Sequence, residues 1–243
     1  MCFMYQPKVI FSKPMTTTPA AFTLQSCLDD DDNNYITIDP STNVGVVTLK
    51  PGTEDNSNWW IQLTDSTVVT CSNIKEFPLK EKKEQRAYIF FNYDSDPSSL
   101  TADIKSITVT HIDTILTEQL APALESEEAN DKAYGNDPVE IVKSDLETLA
   151  EDGYMNIRFR ATWLPGSKHR VNLVRVADEE GLATFYFHHD SNGQTSGNLG
   201  DGMVAFYLDL EKDLDRTPRE IKIKWKSYTG EKSAKFRYIP RND

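Results

Sequence analysis

Apolar and polar residues alternate with a period of two along much of the second half of the chain. The clearest stretch runs from Met155 to Trp163, where every second residue is apolar. A strand that buries one face and exposes the other shows this pattern. The same theme returns at 169–176, 182–189, 203–210, 219–227 and 234–239. These strands and their turn-rich connections predict an antiparallel β-sandwich.

The first half also has a strand pattern, in shorter and more β-branched segments. Strands are predicted at 44–50, 58–63, 67–71, 86–93 and 104–116, with Pro51 and Gly52 forming a turn. About five short strands between residues 35 and 118 suit a small Greek-key barrel of the OB-like kind. The predicted fold class is therefore all-β, an OB-like five-stranded barrel followed by a sandwich.

Composition changes between the two halves. Residues 113–152 contain twelve acidic residues against two lysines. We predict a barrel domain at 35–118, a solvated acidic linker at 119–138 and the sandwich at 139–243. A short helix is also expected near 144–151, because Ser144 can cap it and Glu147 follows three residues later.

The N-terminal residues have the layout of an export signal. A positive start and an apolar middle precede Leu24-Gln25-Ser26-Cys27, which resembles a bacterial lipobox. Residues 1–27 are therefore predicted to be the signal, with the lipid attached to Cys27, and residues 28–34 to be an acidic tether. A disordered acidic tail is the alternative. The expected location is the outer membrane, exposed at the cell surface, with the periplasmic face as the other option.

Charge restricts the partners. The 243-residue chain has a formal net charge of −12, which disfavours nucleic-acid binding because phosphate backbones repel it. No apolar stretch is long enough for a transmembrane helix. The segment 216–243 is basic, with nine lysines and arginines against three acidic residues. It predicts either an anionic partner or strand faces that complement the acidic segment within the protein.

Motifs for catalysis or metal binding are weak. His188 and His189 are adjacent on a strand and should point to opposite faces, so they cannot easily share one zinc ion. The loop from Asp190 to Asp201 is rich in oxygen ligands, but Thr195 stands where a calcium loop of the EF-hand type needs glycine. It is expected to be a long hairpin loop. No nucleophile motif is present, Cys71 is expected to be a small buried residue, and no cofactor is predicted.

Two aromatic residues are the candidate ligand-binding positions. Trp60 opposes Trp59 on its strand, and Tyr186 opposes Phe185 and Phe187. An outward-facing aromatic ring can stack on a sugar or anchor a protein partner. The alternative is that neighbouring elements bury both rings.

Several segments, in their order along the chain, resemble the NigD-like lipoproteins of Bacteroidetes. They are the acidic run after Cys27, WWIQLTDSTVVTCSN, YMNIRFRATW, HRVNLV, FYFHHDSNG and GMVAFYLDL. The resemblance implies an OB-like N-terminal domain, a C-terminal β-sandwich and a location at the cell envelope. The family takes its name from a bacteriocin gene cluster, and the resemblance carries no catalytic residue.

Together these observations predict a lipid-anchored envelope protein that is not an enzyme and that binds a glycan or a protein. Two alternatives remain at this point. One is a hydrolase that uses loop carboxylates on an extracellular polysaccharide. The other, suggested by the family name, is a bacteriocin-associated maturation or immunity protein.

Overall fold

The structure is a computed structural model that describes residues 42–52, 59–77, 79, 83–94, 105–164, 166–194, 196–208, 210 and 217–241. The predicted signal, Cys27 and the acidic tether lie outside the described residues. Within the described part, regular structure is almost entirely β-strand. The longest helix there is α1, and none is long and apolar enough to cross a membrane.

The first unit is a closed five-stranded barrel in the order β1-β2-β3-β5-β4. Its strands are β1 (Asn43–Lys50), β2 (Trp60–Thr64), β3 (Thr67–Cys71), β4 (Gln85–Tyr93) and β5 (Lys105–Thr114). A 3-10 turn (Ile74–Glu76) follows β3, and β3 runs parallel to β5. Alternate residues fill the interior, among them Val47, Leu49, Ile61, Val69, Ile89 and Ile107. The predicted OB-like barrel is confirmed.

The second unit is a sandwich of two sheets. The first sheet has the order β10-β11-β13-β14, with β10 (Arg170–Arg175), β11 (Ala183–Asp190), β13 (Arg219–Ser227) and β14 (Gly230–Tyr238). The second has the order β6-β12-β9-β7, with β6 (Leu116–Gln119), β12 (Asn198–Tyr207), β9 (Tyr154–Trp163) and β7 (Glu140–Ile141). A short strand, β8 (Leu149–Glu151), also pairs with β9.

Glycines in β12 make room for large rings in the sandwich core. A Cβ at Gly202 would lie 2.6 Å from the ring of Phe159, and one at Gly200 would lie 2.5 Å from the ring of Trp163. Because both positions lack a side chain, Phe159 and Trp163 can lie directly over β12. Phe159 then meets Phe187 across the core, with ring centroids 5.5 Å apart.

Two strand pairs of the sandwich are parallel, so the sheets are mixed and not purely antiparallel. β11 runs parallel to β13, and β6 runs parallel to β12. The cause is the path after β11, because the chain crosses to the second sheet as β12 before it returns as β13. Because β11 and β12 lie in different sheets, the connection between them is not the hairpin loop that the sequence suggested.

The acidic region between the units contains regular structure. Helix α1 (Glu127–Tyr134) lies within 119–138 and contacts β10 and β11. At 144–151 the expected helix is a single turn followed by β8. Ser144 Oγ accepts the amide of Glu147 at 3.2 Å, as a helix cap would. The helix stops there because Glu147 turns to pair with Arg158, and the Thr148 hydroxyl donates to the carbonyl of Val142 at 2.6 Å.

The barrel covers part of the outer face of the second sheet. An apolar cluster fills this junction, and its buried members are Val46, Tyr88, Phe90, Ile115, Tyr154, Met203 and Ala205. Beside it, the ammonium of Lys50 pairs with Asp152 at 3.0 Å, and both side chains are less than one-tenth exposed. The molecule therefore has three layers, with the second sheet in the middle.

A fully buried arginine connects the layers. The guanidinium of Arg86 donates to Thr48 Oγ1 at 2.6 Å, to the carbonyl of Val46 at 3.1 Å and to Asn156 Oδ1 at 3.1 Å. The Cζ atom of Arg86 also lies over the ring of Tyr154, 5.6 Å from the ring centroid. Thr48 and Val46 belong to the barrel, and Asn156 and Tyr154 belong to the sandwich, so one cation joins both.

Replacing Arg86 by methionine should strongly destabilise the protein. The variant keeps the apolar stem but leaves buried acceptors on Val46 and Asn156 without a donor, which costs about 3 kcal/mol. Urea unfolding followed by tryptophan fluorescence measures this loss. Arg170→Met is the matched control, since Arg170 is 54% exposed and pairs with Asp190 at the surface, so a loss below about 1 kcal/mol is expected. Equal losses in the two variants would contradict the role assigned to Arg86.

Candidate functional site

A polar cavity of about 210 Å³ lies between helix α1 and the outer face of the first sheet. Strand β11 supplies the floor of the cavity. Phe185 and Phe187 point into the core, so Tyr186 and His188 point outward. Val176 borders it beside β10. Its remaining lining residues are Glu127, Asn130, Asp131, Asn136, Tyr186, His188, Lys224 and Glu231.

The roof of the cavity is held by specific bonds of α1. Ser126 caps the helix by accepting the amide of Ala129 at 3.1 Å. The buried Asn130 accepts the amide of Leu124 at 2.9 Å, and the hydroxyl of Tyr134 donates to the carbonyl of Pro122 at 2.7 Å. These bonds tie both ends of the helix to the segment that precedes it.

Gly135 sets the approach of the helix to β11. Its φ of +87° is favourable for glycine, and a Cβ there would lie 2.6 Å from the carbonyl oxygen of His189. The carbonyl of Gly135 accepts the Nδ1–H of His188 at 2.9 Å. Helix and floor are therefore joined at one point, which makes the cavity a fixed feature of the fold.

His188 is neutral at physiological pH. Burial lowers the pKa of His188, whose side chain is 3% exposed. Because its single proton is used on Nδ1, its Nε2 is an acceptor, and this atom has no hydrogen-bond partner among the described residues. Tyr186 lies beside it, with ring centroids 4.7 Å apart. Burial, with Glu231 and Asp131 nearby, raises the pKa of Tyr186 to about 12, so its phenol stays protonated.

The cavity has more negative than positive groups. Glu127 and Asp131 face it from the helix and Glu231 faces it from β14. Lys224 is the facing cation, but its ammonium binds Glu231 at 3.0 Å and Glu179, outside the cavity, at 2.8 Å.

Asn136 adds an unpaired acceptor to the lining. Its Nδ2 donates to Asp131 at 2.6 Å, and its Oδ1 is buried with no partner in the part of the chain that the structure describes. A buried amide oxygen without a donor is costly unless a ligand or water supplies one.

The two predicted ligand-binding aromatics lie far apart in the fold. Tyr186 is in the cavity, on the face of the sandwich remote from the barrel. Trp60 is half-buried on the barrel, where the ammonium of Lys50 lies 4.9 Å from its ring centroid. Both assignments stay predictions, and the structure brings only Tyr186 together with other polar lining groups.

Sequence reasoning missed the residues that α1 contributes, because 119–138 was interpreted as a solvated linker. The signals were present. Ser126 followed by two glutamates and, further on, Gly135 are typical of a capped helix. Within that helix Glu127 and Asp131 are four residues apart and so share one face.

His189 lies on the opposite side of β11 from His188, as the alternation predicts, and forms a buried pair with His169. The side-chain amide of Gln194 donates to two carbonyls, so its oxygen points at His169 Nε2, 3.2 Å away. His169 therefore carries its proton on Nε2 and accepts at Nδ1 from the Nε2–H of His189, at 2.8 Å. No group of three metal-ligating side chains occurs among the described residues.

The acidic and basic residues noted in the sequence pair with each other. Asp190 binds Arg170, and Asp201 binds Arg158 and Arg160, so the carboxylates suggested for calcium are already bonded. In the basic segment, Lys222 pairs with Glu179 and Glu180, outside 113–152, and Lys232 pairs with Glu140, inside it. The lysines of the basic segment therefore pair with carboxylates both inside and outside the acidic segment 113–152.

A second polar groove of about 450 Å³ lies at the junction of barrel and sandwich, between Asp65, Glu151 and Arg237. The carboxylate of Glu151 accepts the amide of Asp65 at 3.3 Å. Burial raises the pKa of Glu151 to about 7, although the nearby Arg86 acts to lower it.

Adding a methyl group at Gly135 should separate α1 from the floor. Gly135→Ala places a Cβ against β11 and should cost about 3 kcal/mol of unfolding free energy. Gly181→Ala is the matched control, because its φ of +77° is similar but no atom lies within 4 Å of the added Cβ. That control should lose about 1 kcal/mol from backbone strain alone. The assignment would be wrong if urea unfolding showed equal losses.

Acid should destabilise the fold through His189. Burial, and then the neighbouring His169, lower the pKa of His189 to about 4. In the unfolded chain, His189 binds this proton near pH 6.5. The free energy of unfolding therefore has its full value above pH 6.5 and decreases as the pH falls towards 4. The loss should reach about 3 kcal/mol, measured by urea unfolding at several pH values.

The variant His189→Leu should have a flatter profile than the parent protein between pH 6.5 and 4. An equally steep profile in His189→Leu would show that other groups cause the loss.

The chain shares its fold and part of its sequence with known proteins. A family model described as the NigD-like C-terminal beta sandwich domain matches residues 121–238. A crystal structure of a toxin-related protein from Parabacteroides distasonis is 27% identical with a TM-score of 0.64, covering 82% of this chain and 93% of that one. No curated protein sequence matches the chain.

Two further crystal structures have the same architecture. A protein of unknown function from Bacteroides vulgatus is 18% identical with a TM-score of 0.63, covering 83% of this chain and 96% of that one. A NigD-like immunity protein from Bacteroides caccae is 19% identical with a TM-score of 0.57, covering 82% and 97%. At these identities the two structures establish the shared fold. The family-model match over the sandwich confirms the resemblance drawn from the sequence, and residues 121–238 are a NigD-like C-terminal beta sandwich domain.

Proposed function

We propose that this chain is a lipid-anchored protein of the bacterial cell envelope that binds another protein without chemically altering it. The observation that carries the proposal is the cavity beneath α1. It combines aromatic rings, carboxylates and unpaired acceptors on a frame fixed by Gly135. Such a preformed polar site with an aromatic floor is suited to recognition.

The relatives support an immunity-type role. One structural relative is named an immunity protein and another is described as toxin related. A protein that protects its cell by occupying a toxin, or that accompanies bacteriocin maturation, needs a specific docking surface and no catalytic group. A protein partner therefore fits these names better than the glycan that the aromatic residues alone also allowed.

The envelope location rests on the N-terminal sequence. Acylation of Cys27 would place the protein on a membrane, and more than one acyl chain gives a stable anchor. The acidic residues 28–34 would then act as a solvated tether between membrane and barrel. We propose the outer membrane with the folded units at the cell surface, and no nucleic-acid partner.

A hydrolase is the second candidate, favoured by the groove at the junction. A carboxylic acid whose pKa is near 7, as in Glu151, can act as a general acid beside a second carboxylate such as Asp65. Turnover of a polysaccharide that is abolished by Glu151→Gln would favour this function. The binding function is preferred because the bonds of Glu151 and Asp65 also serve to join the two units.

Photo-crosslinking in cells tests the proposal. The full gene with its upstream sequence is expressed in a Bacteroidetes-type bacterium with benzoylphenylalanine at Lys132, an exposed position on α1. The control carries the same group at Leu199, which is 70% exposed on the second sheet. We expect one protein adduct from Lys132 and none from Leu199. Adducts from both positions, or from neither, would contradict docking at this cavity.

The same cells test the anchor. The parent protein should partition into detergent and be cut by protease on intact cells, whereas Cys27→Ala should do neither. Partitioning of both proteins, or of neither, would contradict acylation of Cys27. Partitioning without cleavage would indicate that the anchored protein lies on the periplasmic face of the membrane.

A further inference from the structure

The hydrogen-bonding groups of the cavity beneath α1 are mostly acceptors. The Nδ1–H of His188 donates to Gly135, one side-chain N–H of Asn136 donates to Asp131, and Lys224 binds Glu179 and Glu231. What remains is His188 Nε2, the buried Oδ1 of Asn136 and carboxylate oxygens. The further donors among the described lining groups are the phenol of Tyr186 and side-chain amide N–H groups of Asn130 and Asn136. A complementary ligand must therefore bring several donors.

The charges around the cavity favour a cationic ligand. Glu127, Asp131 and Glu231 face the cavity. Among the described lining residues Lys224 carries the single ammonium, which is shared with Glu179 outside the cavity. A positive ligand gains from this imbalance, and the net charge of −12 on the whole chain attracts a cationic partner from a distance.

The aromatic residues select a flat cation. Tyr186 and His188 lie with their centroids 4.7 Å apart, and Tyr134 lies 5.8 Å from His188 on the helix side. A planar guanidinium stacks on aromatic faces and presents five donors in fixed directions, whereas an ammonium is compact and strongly hydrated. The acceptors and rings together favour arginine over lysine.

The volume of the cavity agrees with a single long side chain. One water molecule needs about 10–15 Å³ of such accessible space, so about 210 Å³ is ample for the seven or so heavy atoms of an arginine side chain.

We propose that the cavity beneath α1 receives an arginine side chain of the protein partner. Its guanidinium stacks against Tyr186 and His188 and donates to Asp131, Glu231 and the amide oxygen of Asn136. The aliphatic stem then passes Val176 towards solvent. This inference deepens the proposed function, since it rests on a protein being the partner.

An NMR titration of the intact folded chain tests the inference with small probes. N-acetylarginine amide is compared with its neutral isostere N-acetylcitrulline amide, with N-acetyllysine amide and with methyl glucoside. We expect the arginine probe to shift the amide resonances of α1 and β11 with a millimolar Kd. The citrulline probe should bind about tenfold more weakly, because it lacks the charge.

Charge-neutralising variants locate the site. Asp131→Asn and Glu231→Gln should each weaken the arginine probe about fivefold, the effect of one partly exposed ion pair. Glu140→Gln is the control, because Glu140 pairs with Lys232 away from the cavity, and it should bind as the parent does. Both test residues are partly exposed, at 38% and 54%, so folded variants are expected and are verified by their spectra.

Three results would overturn the inference. They are equal binding of arginine and citrulline probes, shifts of the cavity residues by methyl glucoside alone, and no shift by any probe. An adduct from Lys132 that the arginine probe does not suppress would leave the proposed function standing and reject the arginine. Binding of the probe without any cellular adduct would support the cavity chemistry and reject the proposed function.

Discussion

The guanidinium of Arg86 is the constraint on which the arrangement of the two units depends. A buried cation must have its donors satisfied, and this one finds acceptors on both the barrel and the sandwich. No carboxylate of the described residues takes part in its direct hydrogen bonds, although Glu151, Asp152 and Asp65 lie near enough to stabilise its charge. Separating the units would leave Arg86 and its acceptors unpaired. The junction therefore depends on specific hydrogen bonds as well as on apolar packing.

That junction decides which surfaces remain for binding. The barrel covers the second sheet around Tyr154, Met203 and Ala205, so this sheet is buried on both faces there. The first sheet keeps an outer face, which α1 covers in part. The cavity lies where that cover is incomplete, and it exists because β11 alternates strictly between core and exterior. Phe185, Phe187 and His189 point inward, while Tyr186 and His188 point outward.

Many charged side chains of the two sheets are paired within the fold. Around the first sheet, Lys222 and Lys224 hold the pKa of Glu179 down at about 2 through hydrogen bonds. On the second sheet, Arg158 and Arg160 bind Asp201. The carboxylates beneath α1 differ, because Lys224 is the one cation among the described residues that line the cavity, and it is already shared with Glu179. An acidic site therefore remains beneath α1, beside these paired charges.

The sequence by itself determined the two β units, because side-chain alternation depends only on local geometry and on which face is buried. It also determined the opposite orientation of His188 and His189, and the resemblance to NigD-like proteins that the family model confirms over the sandwich. It did not determine helix α1, whose caps were visible but whose apolar content is too low to signal burial. It predicted a helix at 144–151 that tertiary bonds to Arg158 and Val142 replace with one turn and a strand.

Only the tertiary structure decided which polar residues meet. Glu127, Tyr186, Lys224 and Glu231 come from four elements spread over a hundred residues, and no local pattern relates them. The parallel pairing of β11 with β13 places Tyr186 beside Lys224, and Gly135 brings the helix to them. Pairing between distant strands is set by the packing of whole sheets, and this is why the site had to be found in three dimensions.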